Sequence, residues 1–317
     1  MEHNKVVRLD NGETLENEEE RIVLKPFVKW AGGKGQLLKD IKKTYPIGIG
    51  SDIKKYAEPF VGGGAILFDV LSSYNLEALY ISDINAELIN TYCMVRDERD
   101  TLVEMLKRFE DEYIPMGNDS RKEYYYLKRQ HFNELKFGGV NTRNIEMAAL
   151  FIFLNRTCFN GLFRVNKRGG FNVPMGSYKN PTICDKENLL NVSTSLSNVE
   201  IVYGDYKKSS SFIDSSTFVY IDPPYRPLNA TSAFTAYTEK GFDDRAQREL
   251  ADFVNTLTER GAKVVISNSD PKNENIEDEF FDELYSLHKI KRVEASRIIN
   301  RNAKDRGKIN ELLICNF

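Results

Sequence analysis

Two hydrophobic rhythms run along this chain. Short β-branched and aromatic runs at residues 55–60, 78–82, 199–203, 218–221, 263–267 and 312–315 are too brief for helices and read as buried strands. Residues 65–73, the stretch from Ala86 onward and residues 243–260 carry apolar positions at helical spacing. The opening series is strand, glycine turn, helix, strand, acid, which is how a nucleotide-binding α/β unit begins. From about residue 97 to residue 155 the pattern stays helical, with polar and aromatic stretches such as Glu123-Tyr124-Tyr125-Tyr126. Residues 157–181 turn rich in Gly, Asn and Arg, a loop composition. Strand and helix alternation resumes at Val199. The pattern predicts an α/β domain interrupted by a mostly helical insert of roughly a hundred residues, with no internal repeat.

A chain of 317 residues can hold one large domain with such an insert. Its apolar and charged fractions, 41% and 29%, are ordinary for a globular protein. It has no run of about 18 apolar residues, so neither a membrane-spanning helix nor a membrane partner is expected. Residues 1–24 are charged and poor in large apolar side chains, which predicts a loosely held extension, with ordered structure beginning near Pro26-Phe27. The first twenty residues lack an apolar signal core, so secretion is not expected. Cys93, Cys158, Cys184 and Cys315 form no CxxC pair, and His3, His131 and His288 lie far apart. The expectation is no zinc or other metal site, no disulfide framework and a reducing, cytoplasmic setting.

A net charge of −3 argues against a nucleic-acid partner until its distribution is read. Residues 1–24 hold seven acids against three bases, which leaves the rest of the chain near neutrality. Within that remainder, residues 160–180 carry Arg164, Lys167, Arg168 and Lys179 with no acid. Residues 289–308 carry eight bases against Glu294 and Asp305. Local basic stripes, rather than total charge, make a footprint for phosphates. The second stripe fits a solvated surface equally well.

The chemistry centres on Asp222-Pro223-Pro224-Tyr225, directly after the run Phe218-Val219-Tyr220-Ile221. Two prolines end the strand because neither can donate a ladder hydrogen bond. A carboxylate, a rigid carbonyl and an aromatic ring are thereby set at the carboxyl end of a strand, where ligands bind in open α/β sheets. The three groups suit a planar base that carries an amino group: the carboxylate and the Pro223 carbonyl accept its N–H bonds and Tyr225 stacks on its face. A purely structural Pro-Pro turn is the competing reading.

Three further clusters bear on that choice. Pro59-Phe60-Val61-Gly62-Gly63-Gly64 supplies a tight turn that lets backbone approach a ligand, and Asp83 follows near the usual spacing for a carboxylate that grips ribose hydroxyls. A dinucleotide site is its rival. In Phe27-Val28-Lys29-Trp30-Ala31-Gly32-Gly33-Lys34, Trp30 is either core filler or a stacking platform, with Lys34 placed to meet a carboxylate. Asn155 to Arg164, continuing through Gly169-Gly170-Phe171-Asn172-Val173-Pro174 to Tyr178, mixes Arg, Asn, Gly and aromatics with no amphipathic period. Arg can read guanine and Asn adenine in the major groove, and an aromatic such as Phe159 can enter a base stack.

Together these segments, in this order, closely resemble the Dam family of DNA adenine methyltransferases, across about residues 25–317. The DPPY tetrapeptide is shared by many amino-methyltransferases, whereas the NGLFRVN and FNVP segments are far narrower and suggest GATC as target. The resemblance implies an α/β, Rossmann-like S-adenosylmethionine-dependent methyltransferase fold. It implies a catalytic, cofactor-binding domain at 25–92 and 197–317, with a mostly helical target-recognition insert at 93–196. Trp30, Lys34, Asp83, Asp205 and Asp222 match positions that contact S-adenosylmethionine, and Gly62 and Gly64 shape its pocket. Lys29, Phe159, Asn160, Leu162, Arg164, Pro174 and Tyr178 match the DNA-reading region, with Arg164 on a guanine. Phe159 stands where some relatives carry Tyr.

The implied partner is double-stranded DNA in a bacterial or phage-type, nucleoid-associated setting. A restriction endonuclease sharing the site is compatible, with no stable complex required. The implied reaction flips an adenine out of the duplex and methylates its N6 amine, with Asp222, Pro223 and Tyr225 at the base and S-adenosylhomocysteine as by-product. Residues 226–239 are expected to cover the base. The alternatives are methylation in another DNA sequence, an amino-methyltransferase acting on cytosine, RNA or a protein amide, and a cofactor-sensing DNA-binding protein without catalysis.

Overall fold

The computed structural model describes residues 22–139, 143–226, 242–296 and 308–317. Nearly all of the expected cover over the base, residues 297–307 of the second basic stripe and most of the N-terminal extension therefore lie outside the described residues. Leu24 is buried and its amide donates to Ser72 Oγ at 3.0 Å, so the packed structure starts slightly before Pro26.

Strands β1 (Lys55–Glu58), β2 (Ala78–Asp83), β3 (Val199–Tyr203), β4 (Thr217–Ile221), β5 (Lys263–Ser269), β6 (Lys289–Ser296) and β7 (Lys308–Cys315) form one sheet in the order β3-β2-β1-β4-β5-β7-β6. The pairings from β3 through β5 are parallel, and β7 runs antiparallel between β5 and β6. Every residue of β4 is buried, as expected of a central strand covered on both faces. Strand order reverses between β1 and β4, which opens a crevice at their carboxyl ends. The glycine turn follows β1 and the DPPY tetrapeptide follows β4, so the topology delivers both motifs to that crevice.

Helices α1 (Leu38–Lys42) and α2 (Ala65–Ser73) flank the first strand. The crossover from β2 to β3 contains α3 (Ala86–Asp97), α4 (Arg99–Tyr113), α5 (Asn118–Phe137), α6 (Ile145–Thr157) and α7 (Lys186–Ser195). One helix suffices for a parallel crossover; here the additional ones assemble around α6. Residues 147–154 of α6 are all buried, the mark of a helix enclosed on every side. The apolar core beneath one face of the sheet continues into this bundle without a break. A second core lies on the opposite face under α8 (Asp244–Glu259) and α9 (Phe280–Leu284). Gln247, Leu250, Ala251, Val254 and Leu257 are the inward stripe of α8. Among the described residues no helix is long and apolar enough to cross a membrane.

Part of the second basic stripe is an edge strand. β6 occupies the end of the sheet, where lysines discourage pairing with another chain. Arg292 within it pairs with Asp270 at 2.9 Å and Asp282 at 2.7 Å, which explains one base of the stripe by structure alone.

Candidate active site

The glycine turn is shaped by what presses on it. Gly62 and Gly64 have φ of +47° and +74°, in the left-handed region that favours glycine. A Cβ on Gly62 would sit 2.7 Å from Trp30 Cδ1, and one on Gly64 would sit 2.5 Å from the Tyr92 hydroxyl. Tyr92 also donates to the Gly62 carbonyl at 3.1 Å. Asp83, at the end of β2, accepts the Gly62 amide on Oδ2 at 3.1 Å and the Asn85 amide on Oδ1 at 2.9 Å. Burial holds its carboxyl above the usual range, against those backbone donors. Trp30 lies on the turn and stacks with Phe163 and Phe151, at centroid distances of 5.9 and 6.4 Å. It is therefore shared between core packing and the crevice.

At the end of β4 the polar groups form a continuous chain. The buried Tyr220 hydroxyl donates to Ser267 Oγ at 3.0 Å, and Ser267 donates to Asp222 Oδ1 at 2.8 Å. Lys34 Nζ reaches the same Oδ1 at 2.8 Å, the Gly32 carbonyl at 3.0 Å and the Tyr225 hydroxyl at 2.8 Å. The Tyr225 hydroxyl donates to Glu311 Oε2 at 2.6 Å. Lys34 is only 4% exposed, and carboxylates of Asp222 at 2.8 Å and Glu311 at 3.9 Å offset the cost of burying it. Asp222 retains 22% exposure, and among the described residues its Oδ2 and the Pro223 carbonyl have no hydrogen-bond partner. The Pro224 carbonyl is taken by Gln247 Nε2 at 3.2 Å.

Beneath them, Glu58 is fully buried at the end of β1 and accepts the Tyr56 hydroxyl at 2.7 Å. Burial pushes its carboxyl up to about 8; the Tyr56 bond opposes this and the nearby Asp222 charge adds to it.

The Gly-, Asn- and Arg-rich segment of residues 157–181 is more ordered than its composition suggests. Residues 164–172 form a hairpin, with Asn172 N bonded to Arg164 O at 3.0 Å and a bridge between Val165 and Phe171. Asn166 Oδ1 accepts the amides of Arg168 and Gly170, which closes the tip. Phe163 and Phe171 are buried, while Phe159, Asn160, Arg164, Lys167, Arg168 and Pro174 are exposed. Leu162 and Tyr178 are half-buried.

The returning strand is gripped from α5. Arg121 donates to the Lys179 carbonyl at 2.7 Å, Tyr125 and Arg129 to the Val173 carbonyl at 2.9 and 3.2 Å, and Asn133 bonds both the amide and the carbonyl of Phe171. Four-residue spacing puts these four on one stripe of the helix.

A short segment ties the two regions together. Asn155 of α6 accepts the Lys29 amide at 2.7 Å and donates to the carbonyls of Lys29 and Gly161 at 2.8 and 2.9 Å. Lys29 Nζ lies over the Tyr178 ring at 4.2 Å. Within six residues the chain runs from the recognition loop at Lys29, past the glycine turn at Trp30, to Asp222 at Lys34.

Residues 30–299 match the D12 class N6 adenine-specific DNA methyltransferase family. The chain belongs to that family. It is 47% identical over 296 residues to a type II methyltransferase, M.MjaIII, of Methanocaldococcus jannaschii, covering 93% of this chain and 99% of that protein. It is 37% identical to type II methyltransferase M1.LlaDCHI of Lactococcus lactis, over 94% of this chain and 97% of the relative. A DNA adenine methylase of Vibrio cholerae is 35% identical, over 90% of this chain and 94% of the relative. The protein is an adenine-specific DNA methyltransferase with a Rossmann-like fold, and its family implies S-adenosylmethionine as donor.

The structure of this methyltransferase brings Lys34, Asp222, Pro223 and Tyr225 into one cluster and Trp30, Gly62, Gly64 and Asp83 into an adjoining one. Asp205 stands at the end of β3 and accepts the Lys207 amide at 2.9 Å. Lys29 and the residues from Phe159 to Tyr178 gather around the hairpin, joined to it through Asn155 and Tyr178. The sequence assigns no role to Ser267, Glu311 or Glu58, although the resembling segments contain them, nor to the α5 stripe. Ser267 and Glu311 sit inside apolar strand runs, where a polar residue is itself a signal that it has a buried partner. The α5 stripe was detectable only as a four-residue periodicity of donors.

Proposed function

We propose that this methyltransferase transfers a methyl group to the N6 amine of an adenine flipped from duplex DNA, within GATC. The single supporting observation is the state of Asp222: one oxygen is bound by Lys34 and Ser267, while the other, like the carbonyl of the next residue, Pro223, has no hydrogen-bond partner among the described residues. Two acceptors on rigid backbone match the two N–H bonds of an exocyclic amine.

The crevice fits S-adenosylmethionine in its donor set. Asp83 spends one bond per oxygen on backbone and keeps lone pairs for ribose hydroxyls. Ile84 and Tyr203, at the carboxyl ends of β2 and β3, are large apolar side chains left exposed, suited to a purine face. Trp30, Lys34, Gly62, Gly64, Asp83, Asp205 and Asp222 are the residues that would hold the cofactor. When bound, it supplies an electrophilic methyl group on a positively charged sulfur.

The protein does the rest by placement. Adenine's amine is a poor nucleophile because its lone pair is delocalised into the ring. Hydrogen bonds from the amine to Asp222 Oδ2 and the Pro223 carbonyl draw the nitrogen toward pyramidal geometry and localise that pair. The Asp222 carboxylate stabilises the positive charge that develops on N6 and accepts its proton. Tyr225 presents an aromatic face to the base, which offsets part of the roughly few kcal/mol that flipping costs. Arg164, Asn160 and Phe159 are exposed and would read the duplex, with Arg164 on a guanine through the guanidinium nitrogens not bonded to Asn172.

The GATC assignment is supported by the NGLFRVN and FNVP segments. Tritiated methyl transfer to matched duplexes tests it. Label in N6-methyladenine within a GATC duplex, and at background level in a duplex with the target adenine's neighbours exchanged, is expected. Equal labelling of both duplexes overturns the GATC assignment, and label on cytosine overturns the base assignment.

A further inference from the structure

Glu311 is an acidic residue of the crevice that the reaction above does not use. It lies on β7, opposite Ser269 of β5 and Val293 of β6, so its backbone is fixed by strands on both sides. Leu312, Leu313 and Ile314 follow it and are fully buried. A carboxylate here is 13% exposed, where an apolar side chain would fill the space without desolvating a charge. Its Oε2 accepts the Tyr225 hydroxyl at 2.6 Å and lies 3.9 Å from Lys34 Nζ.

We propose that Glu311 is a positioning residue that fixes the ring of Tyr225 in the plane against which the target adenine stacks. The inference rests on the base-stacking reading given above. Tyr225 follows two rigid prolines, yet its own ring turns about two side-chain torsions. An aromatic platform that turns freely gives up orientation, which is the main thing it can contribute. The hydroxyl is the handle that stops the turning. It donates to Glu311 and accepts from Lys34, which pins the ring tip at two points on two separate segments.

A short bond to a charged acceptor is the strong kind, and the anchor stands on a strand rather than a loop, which suits precise placement. Burial and the neighbouring carboxylates hold the Tyr225 phenol well above its ordinary value, so it stays a donor. Burial also raises the Glu311 carboxyl, and the Lys34 charge opposes that rise.

A double-mutant cycle tests this on the full chain, with methyl transfer and the fluorescence of 2-aminopurine at the target position as readouts. The fluorescence is read in a GATC duplex with S-adenosylhomocysteine present, so it reports the base without turnover. Glu311→Ala is expected to lower kcat about tenfold and to brighten the 2-aminopurine as stacking is lost. Glu311→Gln keeps an acceptor and recovers most of both.

Tyr225→Phe is expected to mimic Glu311→Ala, and the double variant to be no worse than either, because both remove the same bond. Losses that multiply in the double variant, or a Glu311→Ala protein with unchanged fluorescence, overturn the inference. Tyr225→Ala separates it from the reading beneath it. If that variant leaves fluorescence and kcat untouched, base stacking on Tyr225 is itself wrong; if it abolishes kcat and brightens the 2-aminopurine while the cycle is additive, only the role of Glu311 falls.

Discussion

The crevice and the recognition hairpin treat their polar groups in opposite ways. In the crevice, side chains bind side chains: Tyr220, Ser267, Asp222, Lys34, Tyr225 and Glu311 form one chain of contacts, each 3.0 Å or shorter. In the hairpin, it is mainly the backbone that is bound. Arg121, Tyr125, Arg129 and Asn133 grip main-chain atoms of residues 171–179, while Lys167 and Arg168 are exposed and the exposed Arg164 spends its Nε on Asn172 Oδ1 at 2.8 Å. The difference fits the tasks proposed for the two regions. A charge that must meet a developing transition state has to be in place beforehand, because reorganising it costs rate. A residue that reads a base edge has to keep its bonding groups available until the duplex arrives.

The contrast is broken most severely at Asp222. Asp222→Ala should lower methyl transfer by about a thousandfold or more, in line with losing a positioned charge and acceptor. Its circular dichroism should match that of the parent protein. Appreciable activity in that variant contradicts the role given to the crevice.

The next largest effect is on stability. Glu58 is raised to about 8 in the folded protein from an ordinary value of 4.5. The folded state therefore keeps a proton that the unfolded chain releases between those values. This contribution is fully present below about 4.5 and is lost as pH rises toward 8, with a slope of at most ~1.4 kcal/mol per pH unit. Glu58→Gln should flatten the fall in Tm across that window. An unchanged slope shows that the proton is held elsewhere.

Arg164→Ala sharpens the other side of the comparison. It should reduce discrimination between GATC and a single-base variant by ~1–3 kcal/mol, while leaving cofactor affinity unaltered. A loss of cofactor binding would place Arg164 in the crevice instead. The smallest effect belongs to the grip on the backbone. Tyr125→Phe removes one buried hydrogen bond, to the Val173 carbonyl, and should cost ~1 kcal/mol in urea unfolding. A cost indistinguishable from zero means that Arg129, which shares that carbonyl, suffices.

Local pattern made much of this architecture readable in advance. The helix at Ala65–Ser73 and the strand at Val199–Tyr203 lie where the spacing put them, because each is a clean apolar run between turn residues. The strand at Lys289–Ser296 was hidden, since its lysines and arginine resemble a phosphate-binding stripe and only the sheet edge explains them. Asp222, Lys34 and Tyr225 stood out through their motifs. Glu311 did not, because its partner is 86 residues away and no spacing along the chain reveals that contact. Trp30 looked like filler or platform, and it packs against both the glycine turn and the recognition side.

The central claim is that the free oxygen of Asp222 and the Pro223 carbonyl grip the amine of an extrahelical adenine. A crystal structure of the protein with a GATC duplex and S-adenosylhomocysteine measures this directly. The account predicts adenine N6 at about 2.6–3.2 Å from both Asp222 Oδ2 and the Pro223 oxygen, with the ring parallel to Tyr225. An adenine left in the helix, or flipped into any position beyond hydrogen-bond reach of those two atoms, contradicts it.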